Sequence, residues 1–98
     1  MIKKVYSKSR RSCQVTFTFV PQAEVQTAHL CGEFNDWDKA THPMKRRKDG
    51  SLTITISLQP GRHYRFRYLL DGERWENDEA ADGYVSNAFG SDDSVVDV

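Results

Sequence analysis

The chain has no apolar run near the ~18 residues that a membrane span requires, and its 14 basic residues are matched by 14 acidic ones. The first absence argues against a membrane partner. With no apolar signal segment at the N-terminus either, it points to a cytoplasmic protein. The second absence, a formal charge of zero, argues against a dedicated nucleic-acid binder, which needs a basic surface. Cysteine is scarce. Cys13 and Cys31 allow one bridge at most, and without a secretory segment they read as reduced thiols. Length is limiting too: 98 residues make one domain with one core, far short of the roughly 250 residues of a (β/α)₈ barrel.

Catalytic signatures are equally missing. No glycine-rich phosphate loop, HExxH, GxSxG or paired CxxC occurs. His29, His42 and His63 are far apart without ligand spacing, so neither a metal site nor a cofactor is expected. Glycoside hydrolysis needs two carboxyl groups across a cleft, one with a raised pKa. Here the acids crowd polar loops, and Asp36 and Asp38 beside Trp37 read as turn formers. The Asp78, Glu79, Asp82 loop lacks the spacing of a calcium loop. The chain is not read as an enzyme.

What is present is period-2 alternation, with no convincing 3.6-residue period. Cys13, Val15, Phe17 and Phe19 alternate with polar residues up to Pro21. Leu52, Ile54, Ile56 and Leu58 alternate after the turn Asp49-Gly50 and form the clearest strand. In His63–Leu70, Tyr64, Phe66 and Tyr68 share a core face, and Arg65, Arg67 and Leu69 share the other. Residues 28–32 and 94–98 complete the clearest set. About seven short strands with turns every 8–12 residues predict an all-β, immunoglobulin-like antiparallel β-sandwich. Residues 1–11 are basic and patternless apart from Ile2, Val5 and Tyr6, and read as a loose arm ahead of a domain spanning 12–98. Nine of the 14 acids fall in residues 71–98, where Arg74 is the only basic residue. The tetrad Lys45–Lys48 reads as a solvated hairpin edge.

Two tryptophans stand in polar, glycine-containing turns: Trp37 in GEFNDWD and Trp75 after DGERW begins at Asp71. An indole buries on the order of 150–250 Å² against a partner, so each either seals an end of the core or waits for a flat, half-apolar ligand. For Trp75 the hairpin register decides its face. A two-residue loop, Asp71-Gly72, pairs it with Tyr68 and turns it inward. A three-residue loop, Leu70 to Gly72, pairs it with Arg67 and turns it outward. Asp-Gly suits either loop; the outward form is preferred. A sugar ring, with one C–H face and a rim of hydroxyls, asks for exposed indoles flanked by Arg, Asn or Asp, and Trp37, Trp75 and Arg67 supply those types.

The stretch GEFNDWD, the segment PGRHYRFRYLLDGERWENDEAADGY and the ending SNAFGSDDSVVDV resemble the isoamylase N-terminal, or early-set, domain. This is carbohydrate-binding module family 48, which includes the glycogen-binding domain of AMP-activated protein kinase β subunits. The likeness covers roughly residues 13–98. It implies an immunoglobulin-like sandwich and non-catalytic binding of α-1,4-linked glucans such as glycogen or starch. By position, the stacking tryptophans of kinase-type domains match Trp37 and Trp75, although one extra residue here separates Gly72 from the second. The lysine before their turn matches Arg67, their apolar wedge falls on Phe89, and their hydrogen-bonding asparagine falls on Asp93, which only accepts when ionised.

Family modules usually accompany a catalytic barrel or kinase scaffold, which this sequence does not encode. The start at Met1 favours a complete small protein over a fragment. The alternative function is a protein-interaction module of the same fold that docks a glycogen-metabolising enzyme or other partner, its tryptophans structural. Single-stranded nucleic-acid binding by the aromatics and the basic front half is a weaker third reading.

Overall fold

A computed structural model describes all 98 residues. The chain forms nine strands: β1 (Ile2–Tyr6), β2 (Cys13–Phe19), β3 (Ala28–Gly32), β4 (Lys45–Arg46), β5 (Leu52–Leu58), β6 (His63–Leu70), β7 (Arg74–Glu76), β8 (Gly83–Ser86) and β9 (Asp92–Asp97). They form two antiparallel sheets, ordered β1-β2-β5-β4 and β3-β6-β9-β8, with β7 paired to β6 beyond the end of β9. The expected all-β sandwich is the fold. Its only helical piece is a 3₁₀ turn, Glu33–Asn35, and no helix is long and apolar enough to cross a membrane.

The core lies where the inward faces meet. Val15 and Phe17 of β2, Leu52 and Leu58 of β5, and Phe66, Tyr68 and Leu70 of β6 are all buried. Phe17 meets Phe66 edge-on at 5.0 Å between ring centres, and Phe19 meets Tyr68 at 5.1 Å, separations at which aromatic pairs add to plain burial. The buried Tyr68 hydroxyl donates to Asp78 Oδ2 at 2.6 Å. That carboxylate also accepts the Ala80 N–H and the Met1 ammonium, so its burial leaves it satisfied. Burial, and then the neighbouring Asp78 charge, push the Tyr68 phenol far above its ordinary pKa. Cys13 and Cys31 are both free and buried.

Residues 2–6 correct the reading of a loose arm. They pair with β2 from Ile2↔Phe17 to Tyr6↔Cys13, and Ile2 and Tyr6 pack on the core. The alternation is masked by Lys4 on the same face, whose ammonium reaches Asp82 at 2.7 Å, keeping its stem against the sheet and its charge paired. The acidic stretch after Trp75 also contains β8, hydrogen-bonded to β9.

Strand β6 sets the place of everything that follows. Its one face supplies the core; its other face carries Arg65, Arg67 and Leu69 outward. Leu69 is nonetheless buried, as are Cys31 and Val95 from neighbouring strands. The outer face of this sheet is therefore covered, and what covers it holds both tryptophans.

Candidate functional site

The first wall is the loop after β3. Gly32 is there because nothing larger fits: a Cβ would lie 2.5 Å from the Arg65 carbonyl oxygen and 2.8–2.9 Å from Phe34 and Phe66. Phe34 turns inward, 6.0 Å from both Phe17 and Tyr64. Asn35 staples the turn. Its Oδ1 accepts the Gly32 N–H, and its Nδ2 donates to the Leu30 carbonyl and to His42 Nδ1. Asp36 and Trp37 then both take left-handed backbone, at φ 55° and 58°, a conformation that costs a bulky L-residue about 1–2 kcal/mol. The Trp37 N–H still closes the turn on the Gly32 carbonyl at 2.8 Å. Asp38 ends it, its Oδ1 accepting the Ala40 and Thr41 N–H groups, which hold its carboxyl below the usual carboxylate range. Strain of this kind, held by so many bonds, fixes where an indole points.

The second wall is the β6–β7 hairpin. The observed register pairs Leu70 with Arg74 and Leu69 with Trp75, so neither expected pairing occurs. The loop is Asp71-Gly72-Glu73, not Leu70 to Gly72, and the partner of Trp75 is Leu69 rather than Arg67. The outward face is as preferred, because Leu69 and Arg67 share it. The reason for the shift is that Asp71 and Gly72 both take positive φ, 52° and 71°, as a two-residue hairpin turn requires. Glu73 is then an extra residue that closes the turn through its N–H to the Leu70 carbonyl. Asp71 Oδ1 accepts the Gln26 and Thr27 N–H groups, and these bonds lower its pKa.

The third wall is the loop between β8 and β9. Asn87 Oδ1 accepts the Phe89 and Ser91 N–H groups, and its Nδ2 donates to Ser91 Oγ and Asp93 Oδ1. This fold-back leaves Phe89 94% exposed at the tip, more than any core or packing role would leave it.

These walls enclose a groove of about 650 Å³ that brings together Trp37, Arg67, Trp75, Phe89 and Asp93. All five residues singled out from the sequence line it. The indoles lie 6.5 Å apart, inclined at 72°. Lys39 Nζ and Arg67 Cζ each stand 5.9 Å from the Trp75 ring centre, within cation–π range. Asp93 is buried and accepts from Asn87 at 3.2 Å, with Arg65 Nη1 3.9 Å from its other oxygen. Glu33, Lys39, Arg65 and Asn87 also line the groove and were missed in the sequence. Arg65 alone carried a signal, since it shares an alternating face with Arg67. No three His, Cys, Asp or Glu side chains cluster to hold a metal ion. The arrangement offers apolar ring faces, guanidinium and amide donors, and two carboxylate acceptors.

Residues 14–98 match the family model described as the glycogen recognition site of AMP-activated protein kinase. A 1,4-alpha-glucan branching enzyme, GlgB, of Photobacterium profundum is 37% identical over 82 residues, covering 81% of this chain and 11% of that protein. GlgB of Novosphingobium aromaticivorans is 37% identical over 43 residues, covering 44% of this chain and 6% of that protein. The chain thus spans about a tenth or less of the length of these relatives.

Proposed function

This chain belongs to the family of the glycogen recognition site of AMP-activated protein kinase, and from that premise we propose that its groove binds α-1,4-linked glucan by aromatic stacking, without catalysis. The observation that carries the reading is the pair Trp37 and Trp75, 6.5 Å apart at 72° in one groove. A flat β-1,4-linked ribbon stacks best on coplanar rings. An α-1,4 chain curves, turning successive glucose faces through an angle, and inclined indoles suit it. Phe89, exposed at the opposite wall, wedges against the apolar faces of the sugars. Arg67 donates to hydroxyls and Asp93 accepts from them.

The acids of the groove support a binding role. Glu33 is engaged by the Arg65 N–H at 2.7 Å and Asp93 by Asn87, leaving no pair of free carboxyls facing across a cleft. Two relatives that carry a matching stretch are named as 1,4-alpha-glucan branching enzymes. We therefore place the module beside a glucan-processing enzyme, holding the polymer while the partner acts.

Titration of intrinsic tryptophan fluorescence with maltoheptaose and β-cyclodextrin tests this. A saturable, salt-insensitive change is expected, abolished by Trp37→Ala or Trp75→Ala with circular dichroism unchanged. Silence at millimolar sugar, with both variants unfolded, would overturn it and make the tryptophans structural.

A further inference from the structure

The groove is more cationic around one of its two indoles than a neutral sugar requires. Lys39 and Arg67 both stand over Trp75, and no cation stands over Trp37. Neither cation has a carboxylate within 4.0 Å. The two acids of the groove are committed elsewhere, Glu33 to the Arg65 backbone and Asp93 to Asn87 and Arg65. Arg67 is also under-used as a donor. A guanidinium carries five N–H groups in a fixed fork, yet its Nε has no partner and its Nη1 reaches Ser91 Oγ only at 3.5 Å.

Covering two cations that lack a carboxylate within 4.0 Å with a neutral ligand strips water from both, and hydroxyl acceptors replace that hydration incompletely. Asparagine or glutamine would donate to hydroxyls without that cost. A phosphate monoester carries a charge of about −1.5 to −2 and three strong acceptor oxygens. A guanidinium meets two such oxygens side by side, while an ammonium supplies a point charge. Such an ester on a glucose stacked at Trp75 would meet cations that each stand 5.9 Å from the ring centre.

We propose that the Trp75 end of the groove selects a glucose residue bearing a phosphate monoester, so that the preferred ligand is a phosphorylated α-glucan chain. The proposal rests on the glucan reading above and adds the charge of the ligand to it. It involves recognition only, with no bond made or broken.

Calorimetric titration with maltoheptaose and with a chain of the same length phosphorylated on glucose tests it. At low salt the phosphorylated chain is expected to bind about tenfold more tightly, and the advantage should shrink as salt screens the charges. In Lys39→Gln and in Arg67→Gln the ratio of the two affinities should fall toward one. Equal affinities in the wild type, or an advantage that survives both substitutions, would overturn the phosphate proposal and leave glucan binding standing. If neither chain binds, both readings fail. If glucose 6-phosphate or inorganic phosphate binds as tightly as the phosphorylated chain, the site is an anion site and the glucan part of the proposal is overturned.

Discussion

Asn35 Nδ2 lies 2.7 Å from His42 Nδ1, and its other N–H is taken by the Leu30 carbonyl. Since Asn35 Oδ1 already accepts from Gly32, the amide cannot be flipped, and the imidazole nitrogen must be the acceptor. One side chain thereby ties the end of β3, the strained turn at Trp37 and the returning segment at His42. Asn35→Ala would leave three backbone and ring groups without their partner, at about 1–3 kcal/mol. The expected outcome is a lower denaturation midpoint and a weakened sugar response, with His42→Phe showing a smaller loss of the same kind.

Gly32 makes a sharper case. Its φ of −172° is ordinary extended backbone, so the residue is fixed by space alone. A methyl group there meets a backbone oxygen at 2.5 Å, which cannot swing aside as a side-chain tip can. Gly32→Ala should cost about 1–3 kcal/mol or more, and chemical denaturation would measure it. Gly72→Ala should cost about 1 kcal/mol by a different route, left-handed backbone, with open space around its Cβ.

The hairpin yields a prediction in the opposite direction. Because Asp71 and Gly72 already provide the turn, removing Glu73 should leave a two-residue loop with Leu70 still facing Arg74 and Leu69 still facing Trp75. The deletion variant is expected to fold with undiminished thermal stability and to keep its fluorescence response to maltoheptaose. Loss of the response with the fold intact would show that Glu73 sets the face of Trp75.

Acid should loosen the loops before the sheets. The carboxyls of Asp38, Asp49 and Asp71 are held below their ordinary pKa by hydrogen bonds to neighbouring N–H or hydroxyl groups. A depressed folded-state pKa means that the unfolded chain binds protons more readily. The stabilisation is therefore complete above the unfolded value near 4 and is lost as pH falls through the folded one. Denaturation midpoints measured from pH 6 downward should stay level and then drop below about pH 4. Asp71→Asn should flatten that drop.

Much of this architecture can be read from spacing. Strands β5 and β6 alternate over seven and eight residues, long enough for period 2 to stand out. Strands β7 and β8 have three and four residues, mostly exposed, and exist because β6 and β9 present open backbone to them. No local pattern announces that. At β1 the alternation is interrupted by a lysine whose partner, Asp82, is 78 residues away. The site divides the same way. Trp37, Trp75 and Arg67 are visible as aromatics in polar turns and as one face of an alternating strand. Phe89 and Asp93 emerge only from likeness to a family. Glu33, Lys39 and Asn87 are brought to the groove by contacts between distant segments. The pairing of Trp75 differs by two residues from the preferred one because a turn containing Asp-Gly closes in more than one way, and here Asp71 and Gly72 make the turn while Glu73 is left out of the ladder.

The three walls of the groove belong to segments that meet only in the folded chain, centred on residues 37, 75 and 89. A sugar polymer lying across them would bridge all three, acting as a removable crosslink. By mass action, ligand at a hundred times its dissociation constant adds about 2.7 kcal/mol to the free energy of unfolding. In a small domain that is a large share of the total. If the groove binds glucan as proposed, the melting temperature becomes a gauge of how much polymer surrounds the protein, and the unliganded module is the one most exposed to proteolysis.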